Sequence, residues 1–473
     1  MIFKFQLLRC LCVLLGCLLA APAYAGTFDA AQLGLIWGFP FAAMLLSIAL
    51  GPILLEHFWH RHYGKVAVFW GLAFLLPFIF TYGAHAAISQ IVHVVFAEYL
   101  PFIILLTALF TTAGGVCVRG NLHGRPALNL GMLTLGTVLA GIMGTTGAAM
   151  LLIRPLIRAN DNRKHTTHIL VFFIFLVANV GGAFTPLGDP PLFLGFLNGV
   201  DFFWPLTRLW SHTLFLALSL LILFYLLDLY YFHQREEEQP AYLDPSPDSA
   251  IWIEGKLNFI ILGAIIALVL LSGFWQPDIY WTIEGTVVAL QNLVRDGGLI
   301  LLTLISLKIT PQSARAGNEF SWEPMLEVAK LFAGIFVTII PVIAMLKAGH
   351  QGPFAPLIGL LYDLNGVAST KIFFWLTGVL SAFLDNAPTY LVFFNLAGGD
   401  AVSLMSQQAP TLIAISTASV FMGALTYVGN APNLMVRAIA SHRGLKMPGF
   451  FGYMVWSIGI LLPLLALLSY FLI

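Results

Sequence analysis

Apolar residues run along this chain in long blocks, without the strict alternation of a strand or the single stripe of a surface helix. Blocks at residues 33–55, 66–82, 100–117, 209–232, 257–275, 297–308, 331–346 and 450–471 each predict a helix that crosses, or largely crosses, a bilayer. Residues 84–98 are too mixed to span and predict an interfacial helix; 276–296 and 350–370 read as interfacial, with no element assigned. Two other blocks are interrupted. The run at 127–144 meets Gly144-Thr145-Thr146-Gly147, and the apolar stretch after it, 148–157, has about ten residues where a span needs about twenty. That pattern predicts a re-entrant hairpin over about 127–158 with both ends on one side. The next helix, over about 168–200, breaks at Phe184-Thr185-Pro186-Leu187-Gly188-Asp189-Pro190-Pro191. Exposed backbone at that depth is tolerated only inside protein or along a cavity.

The pattern then repeats. Residues 372–398 predict a second hairpin with Asp385-Asn386-Ala387-Pro388-Thr389 at its tip. Residues 410–441 predict a second broken helix, interrupted at Thr426-Tyr427-Val428-Gly429-Asn430-Ala431-Pro432. An ungapped offset of 241 carries Gly182, Ala183, Thr185, Gly188 and Pro191 onto Gly423, Ala424, Thr426, Gly429 and Pro432. Five identities in so short a window exceed the roughly one that composition alone gives. Basic residues place the ends: His60 to Lys65, Arg119, Arg125, Arg158 and Arg163 fall on one side, which the positive-inside rule makes cytoplasmic. The threading puts the two hairpins in opposite orientations. The fold expected is therefore an all-α polytopic membrane protein built from two inverted repeats, residues 26–234 and 257–473, joined by a polar cytoplasmic linker at 235–256.

Composition sharpens this reading. Hydrophobic residues make up 59% of the chain and charged ones 9%, too few to cover a water-facing surface, so a soluble enzyme is excluded. Lys and Arg together equal Asp and Glu at 22 each, which gives no basic surface for nucleic acid. The first 25 residues have a basic start, an apolar core and Ala23-Tyr24-Ala25, the features of a cleaved signal peptide, with an uncleaved first helix as the alternative. With the topology, this implies a bacterial inner membrane. Three of the four cysteines lie in that leader, so neither a disulfide framework nor a soft-metal site is suggested. No nucleotide-binding or cofactor motif is present, and none is expected.

The chemistry gathers at the breaks. Asp385 and Asp189 are carboxylates at membrane depth with no Lys or Arg in either break. A buried charge there points to function. Thr145, Thr146, Ser381, Asn386, Thr426, Asn430 and Thr185 add hydroxyl and amide oxygens, a donor set suited to a hard cation such as Na⁺. Asp385 with Asn386 is the first choice for the cation. Asp189 competes with a plain N-cap role ahead of Pro190-Pro191. Arg154, on the return arm, reads as a side chain that extends to the cytoplasmic surface, with anion binding as the alternative.

LDNAPT at 384–389, TPLGDPP at 185–191, and the tract GTTGAAMLLIRPLIRAN with FTPLGDPPLFLGFL resemble the ion transporter superfamily. That group includes NhaD-type sodium/proton antiporters, arsenite pumps, and citrate or dicarboxylate carriers. The tracts are similar to a bacterial subgroup described as citrate transporters or sodium/proton antiporters. The resemblance implies a homodimer, a fixed scaffold, a mobile body holding both hairpins, and elevator-like motion. It implies that Asp385-Asn386 binds the cation. The acidic tips favour Na⁺/H⁺ antiport, with a cation-coupled citrate or carboxylate carrier as the alternative. A non-transporting membrane scaffold is the third possibility, against which the intramembrane Asp, Asn and Thr residues argue.

Overall fold

A computed structural model describes residues 32–233, 249–362 and 367–473. The predicted leader and most of the predicted linker lie outside the described residues. Within them the protein is a multi-pass helical membrane protein. Eight helices are long and apolar enough to cross a membrane, or nine if Glu323–Thr338 and Ile340–Lys347, bent by 42° at Ile339, form one span. Large apolar side chains such as Phe80 and Phe451 point outward, as lipid-facing surfaces require.

One group of helices forms a frame. Phe39–Leu54, Glu56–Tyr82 and Glu323–Thr338 pack together, and Leu257–Phe274 and Leu290–Ile309 pack on Leu100–Ala113. Three local expectations change here. The His60–Lys65 cluster is helical, inside the 27-residue helix Glu56–Tyr82. That helix is about 40 Å long, so it clears a hydrocarbon core of about 30 Å and carries its basic end into water. Residues 84–98 are not a separate interfacial helix but the first half of a continuous 30-residue rod, Ala84–Ala113. The rod passes Pro101 because Val94–Tyr99 adopts the wider π-helical spacing just before it, which absorbs the proline's missing N–H. The end of the predicted linker is a strand, Ser249–Glu254, paired antiparallel with Cys117–Asn121. A second ribbon, Tyr280–Ile283 with Thr286–Ala289, occupies part of the stretch expected to be interfacial.

The other group holds the interrupted segments. Pro126–Met143 turns at Gly144 into Thr145–Ala159, and Thr370–Phe383 turns at Asp385 into Asn386–Leu396. Gly144 sits at φ 83°, a left-handed conformation suited to glycine, whereas Asp385 sits at φ −59°. The first return arm begins at the tip and is longer than expected. At 15 residues, about 22 Å, it still falls short of the core thickness. Thr167–Leu176 and Val180–Phe184 lead to the first break and Pro190–Leu197 leaves it; Ala409–Met422 and Gly423–Leu425 lead to the second and Ala431–His442 leaves it. Of the most apolar stretch of Thr167–Phe184, 89% is buried inside the protein, against 17% for Glu56–Tyr82. The broken backbone is thus wrapped by protein, where its polar groups find partners.

Candidate functional site

Each break is tied to its hairpin by the same bonds. Thr185 Oγ1 donates to the Gly141 carbonyl at 2.6 Å, and Thr426 Oγ1 to the Ala382 carbonyl at 2.5 Å. Each hydroxyl also accepts a backbone N–H two residues on, from Leu187 and Val428, at 3.1 Å. Every partner in one half maps onto its counterpart by the offset of 241, the spacing that separates Asp189 from Asn430. The threonines are therefore struts that hold extended backbone against a helix; their hydroxyls are committed to carbonyls. Ser381 behaves likewise, donating to the Ser419 carbonyl at 2.6 Å. Thr146 is half-buried and lies outside these bonds.

Four residues meet at the centre. Asp189 Oδ1 accepts from Thr145 Oγ1 at 2.9 Å and from Asn430 Nδ2 at 3.1 Å, and Asp189 Oδ2 accepts from Asn386 Nδ2 at 2.5 Å. All four are buried, at 2% exposure or less. Thr145 and Asn386 are the first residues of the two return arms, while Asp189 and Asn430 are the N-caps of the two helices that leave the breaks. Four helix N-termini thus converge on one point. The Asp189 carboxylate caps nothing in its own helix. Capping falls to Asp385, whose Oδ1 accepts from the Ala387 N–H at 3.1 Å and whose carbonyl receives Thr389 Oγ1. Asp385 is half-buried, and its neighbour Asn386 turns to Asp189. Asn386 Oδ1 is buried with no hydrogen-bond partner. An acceptor left bare beside a carboxylate is the arrangement a cation or a protonated ligand would complete.

Asp189 has no ion-pair partner among the described residues. Burying a carboxylate costs several kcal/mol in practice. Three donors to a charged acceptor return roughly 1.5–3 kcal/mol each, so neutral donors alone can hold it without a counter-ion. Two further residues, which sequence reasoning missed, stiffen this cluster. Asn179 donates to the Ile174 carbonyl and to Asn433 Oδ1, each at 2.8 Å, and its own Oδ1 accepts from Asn430. Asn433 donates to the carbonyls of Gly423 and Thr426, both at 2.9 Å. The signal available was two asparagines inside apolar, glycine-rich tracts, unexplained by capping.

Comparison with known proteins fits this picture. Residues 30–473 match the family model described as "Putative citrate transport". The chain belongs to that family. It is also similar to an uncharacterized transporter of Mycobacterium tuberculosis and to one of Mycobacterium bovis. Each is 25% identical over 331 residues, covering 68% of this chain and 71% of the relative. The protein is thus a membrane transporter of the citrate-transport family type and not an enzyme.

Proposed function

We propose that this chain is a cation-coupled secondary transporter of a citrate-class carboxylate, with Asp189 as the coupling carboxylate. The observation that carries this is a single buried carboxylate held by three neutral donors where four half-helix N-termini meet. Each N-terminus contributes about half a positive charge, so four of them roughly balance Asp189 and Asp385. A polycarboxylate alone would make the site strongly negative. A polycarboxylate entering with H⁺ or Na⁺ keeps the balance, and Asp189 with Asn386 Oδ1 offers oxygens for the cation. The family's description supports the carboxylate. Alternation follows from the two interrupted halves moving against the frame, with the four central residues occluded as seen here.

A second reading is Na⁺/H⁺ antiport, and one observation favours it: among the described residues no basic side chain pairs with Asp189. A proton and a Na⁺ leave the same charge on that carboxylate and can replace one another. Proteoliposomes decide between the two. Citrate accumulation driven by an imposed H⁺ or Na⁺ gradient, and lost in Asp189→Asn, is the expected result. Na⁺-driven proton movement without citrate uptake would select antiport. No response to either would remove transport from this site.

A further inference from the structure

Away from the centre, Arg154 departs from its sequence reading. Its side chain does not reach open water; the residue is only 5% exposed. It lies nine residues along the return arm from Thr145, about 13 Å from the site. Its Nη2 meets Glu319 Oε2 at 3.3 Å, and the other carboxylate oxygen, Oε1, meets Arg443 Nη2 at 2.5 Å. Arg154 belongs to the first hairpin, Arg443 follows the helix that leaves the second break, and Glu319 belongs to the frame. One carboxylate is thus shared between the two interrupted halves.

Three observations show that Glu319 fills this place incompletely. Arg154 Nε and Nη1 are buried and have no hydrogen-bond partner. A guanidinium has five N–H donors in a rigid fork that fits a carboxylate at two points, and here Glu319 engages it through one nitrogen. Glu319 itself is held at φ 48°, a left-handed conformation unusual for a residue with a side chain. Its loop is pinned on both sides: Asn318 Nδ2 donates to the carbonyls of Gly114 and Val116, and Phe320 packs on Phe110. Charge is also out of balance. Arg158, bonded to the Val118 carbonyl, and Arg119, paired with Glu254, add positive charge nearby, and the Arg315 guanidinium lies 4.8 Å over the Phe320 ring. Burial alone would raise the Glu319 carboxyl, but the Arg154 and Arg443 guanidiniums outweigh it and hold it below the usual glutamate range.

We propose that Arg154 and Arg443 form a carboxylate-binding subsite at the cytoplasmic mouth of the transport path, closed in this conformation by Glu319 standing in for a substrate carboxylate. A tricarboxylate places one group on both guanidiniums and uses the Arg154 donors that Glu319 leaves bare. It displaces Glu319 and so loosens the frame from both interrupted halves at once. The inference rests on the carboxylate-carrier reading.

The test titrates purified protein in detergent with citrate, malonate and sulfate, using wild type, E319Q and E319Q/R154Q. Removing the competing carboxylate should tighten citrate binding about tenfold, since charge-assisted bonds to two guanidiniums are freed for the ligand. E319Q/R154Q should lose that gain. If E319Q binds citrate more tightly while vesicles accumulate none, the subsite stands and the carrier reading falls. If wild type transports citrate but E319Q binds none of the three anions more tightly, the subsite is overturned. Faster transport by E319Q with unchanged affinity marks a plain ion-pair latch and overturns it equally. Should E319Q fail to accumulate in the membrane, phenylglyoxal labelling of Arg154 and Arg443 in the wild-type chain is mapped by mass spectrometry. Citrate should protect both, and labelling unaffected by citrate rejects the proposal.

Discussion

The two breaks share a backbone and differ in charge. Thr185 and Thr426 make matching bonds, and Gly188 and Gly429 lie at matching crossings, yet the next residue is Asp189 in one half and Asn430 in the other. The tips differ in the opposite sense, Gly144-Thr145 against Asp385-Asn386. The scaffold thus needs the threonines and glycines twice and the central carboxylate once. Two carboxylates at the centre would repel each other. One carboxylate facing an amide gives an acceptor and a donor that satisfy each other.

The largest effect should come from removing the unique charge. Asp189→Asn is expected to reduce gradient-driven uptake to the rate of empty vesicles while the protein still inserts, because an amide cannot take up a proton or neutralise a cation. Near-normal coupled uptake would transfer the coupling role elsewhere. Exchange of the two chemistries sharpens the comparison. Asn430→Asp alone leaves an uncompensated buried charge and should lower stability by about 3–5 kcal/mol, read by thermal unfolding in detergent. The double change Asp189→Asn with Asn430→Asp should recover stability and part of the uptake if the halves are equivalent. No recovery in either readout would show that the site depends on which half holds the charge.

Smaller effects separate the tips. Asp385→Asn should leave coupled uptake within a few-fold of wild type, since Asn caps as well as Asp, whereas Asp385→Ala should cost about 1 kcal/mol of stability. Complete loss of uptake in Asp385→Asn would restore Asp385 to the place the sequence suggested. Smallest of all, Thr185→Val and Thr426→Val should each destabilise by about 1 kcal/mol, and by the same amount, without altering ion dependence. Unequal costs would mean that the two struts bear different loads.

The interruptions were legible because glycine, proline and acidic residues stand out inside apolar runs. The offset of 241 needed no contacts to be seen, and the bonds of Thr185 and Thr426 follow it. Chemistry across the centre was not legible. Asp189 reads from its own tract as a buried site carboxylate in competition with a cap before Pro190-Pro191, and only the fold brings it Asn386 and Asn430, 197 and 241 residues away. Arg154 was misread for a related reason. An arginine near the end of an apolar arm looks free to reach water, and nothing local reveals that Glu319, 165 residues on, lies over it. A buried group on the first half escaped in the same way. Asp228 lies against Arg163 at 2.7 Å and His168 at 2.8 Å and accepts from Asn129, joining the hairpin, the first broken helix and Trp210–Tyr231. Each member alone resembles an ordinary polar residue at a helix end.

The glycine crossings limit how this architecture can vary. A methyl group on Gly188 would stand 2.2 Å from the Gly182 carbonyl, and one on Gly429 would stand 2.6 Å from the Gly423 carbonyl. At both places two stretches of main chain touch with no side chain between them, and close packing leaves no slack to take one up. Charge, hydroxyl and amide can therefore be exchanged at the neighbouring positions while the waist of each half keeps its width. A substitution at 145, 189, 386 or 430 changes a side chain at the centre, whereas a single carbon added at 188 or 429 forces the two strands of backbone apart.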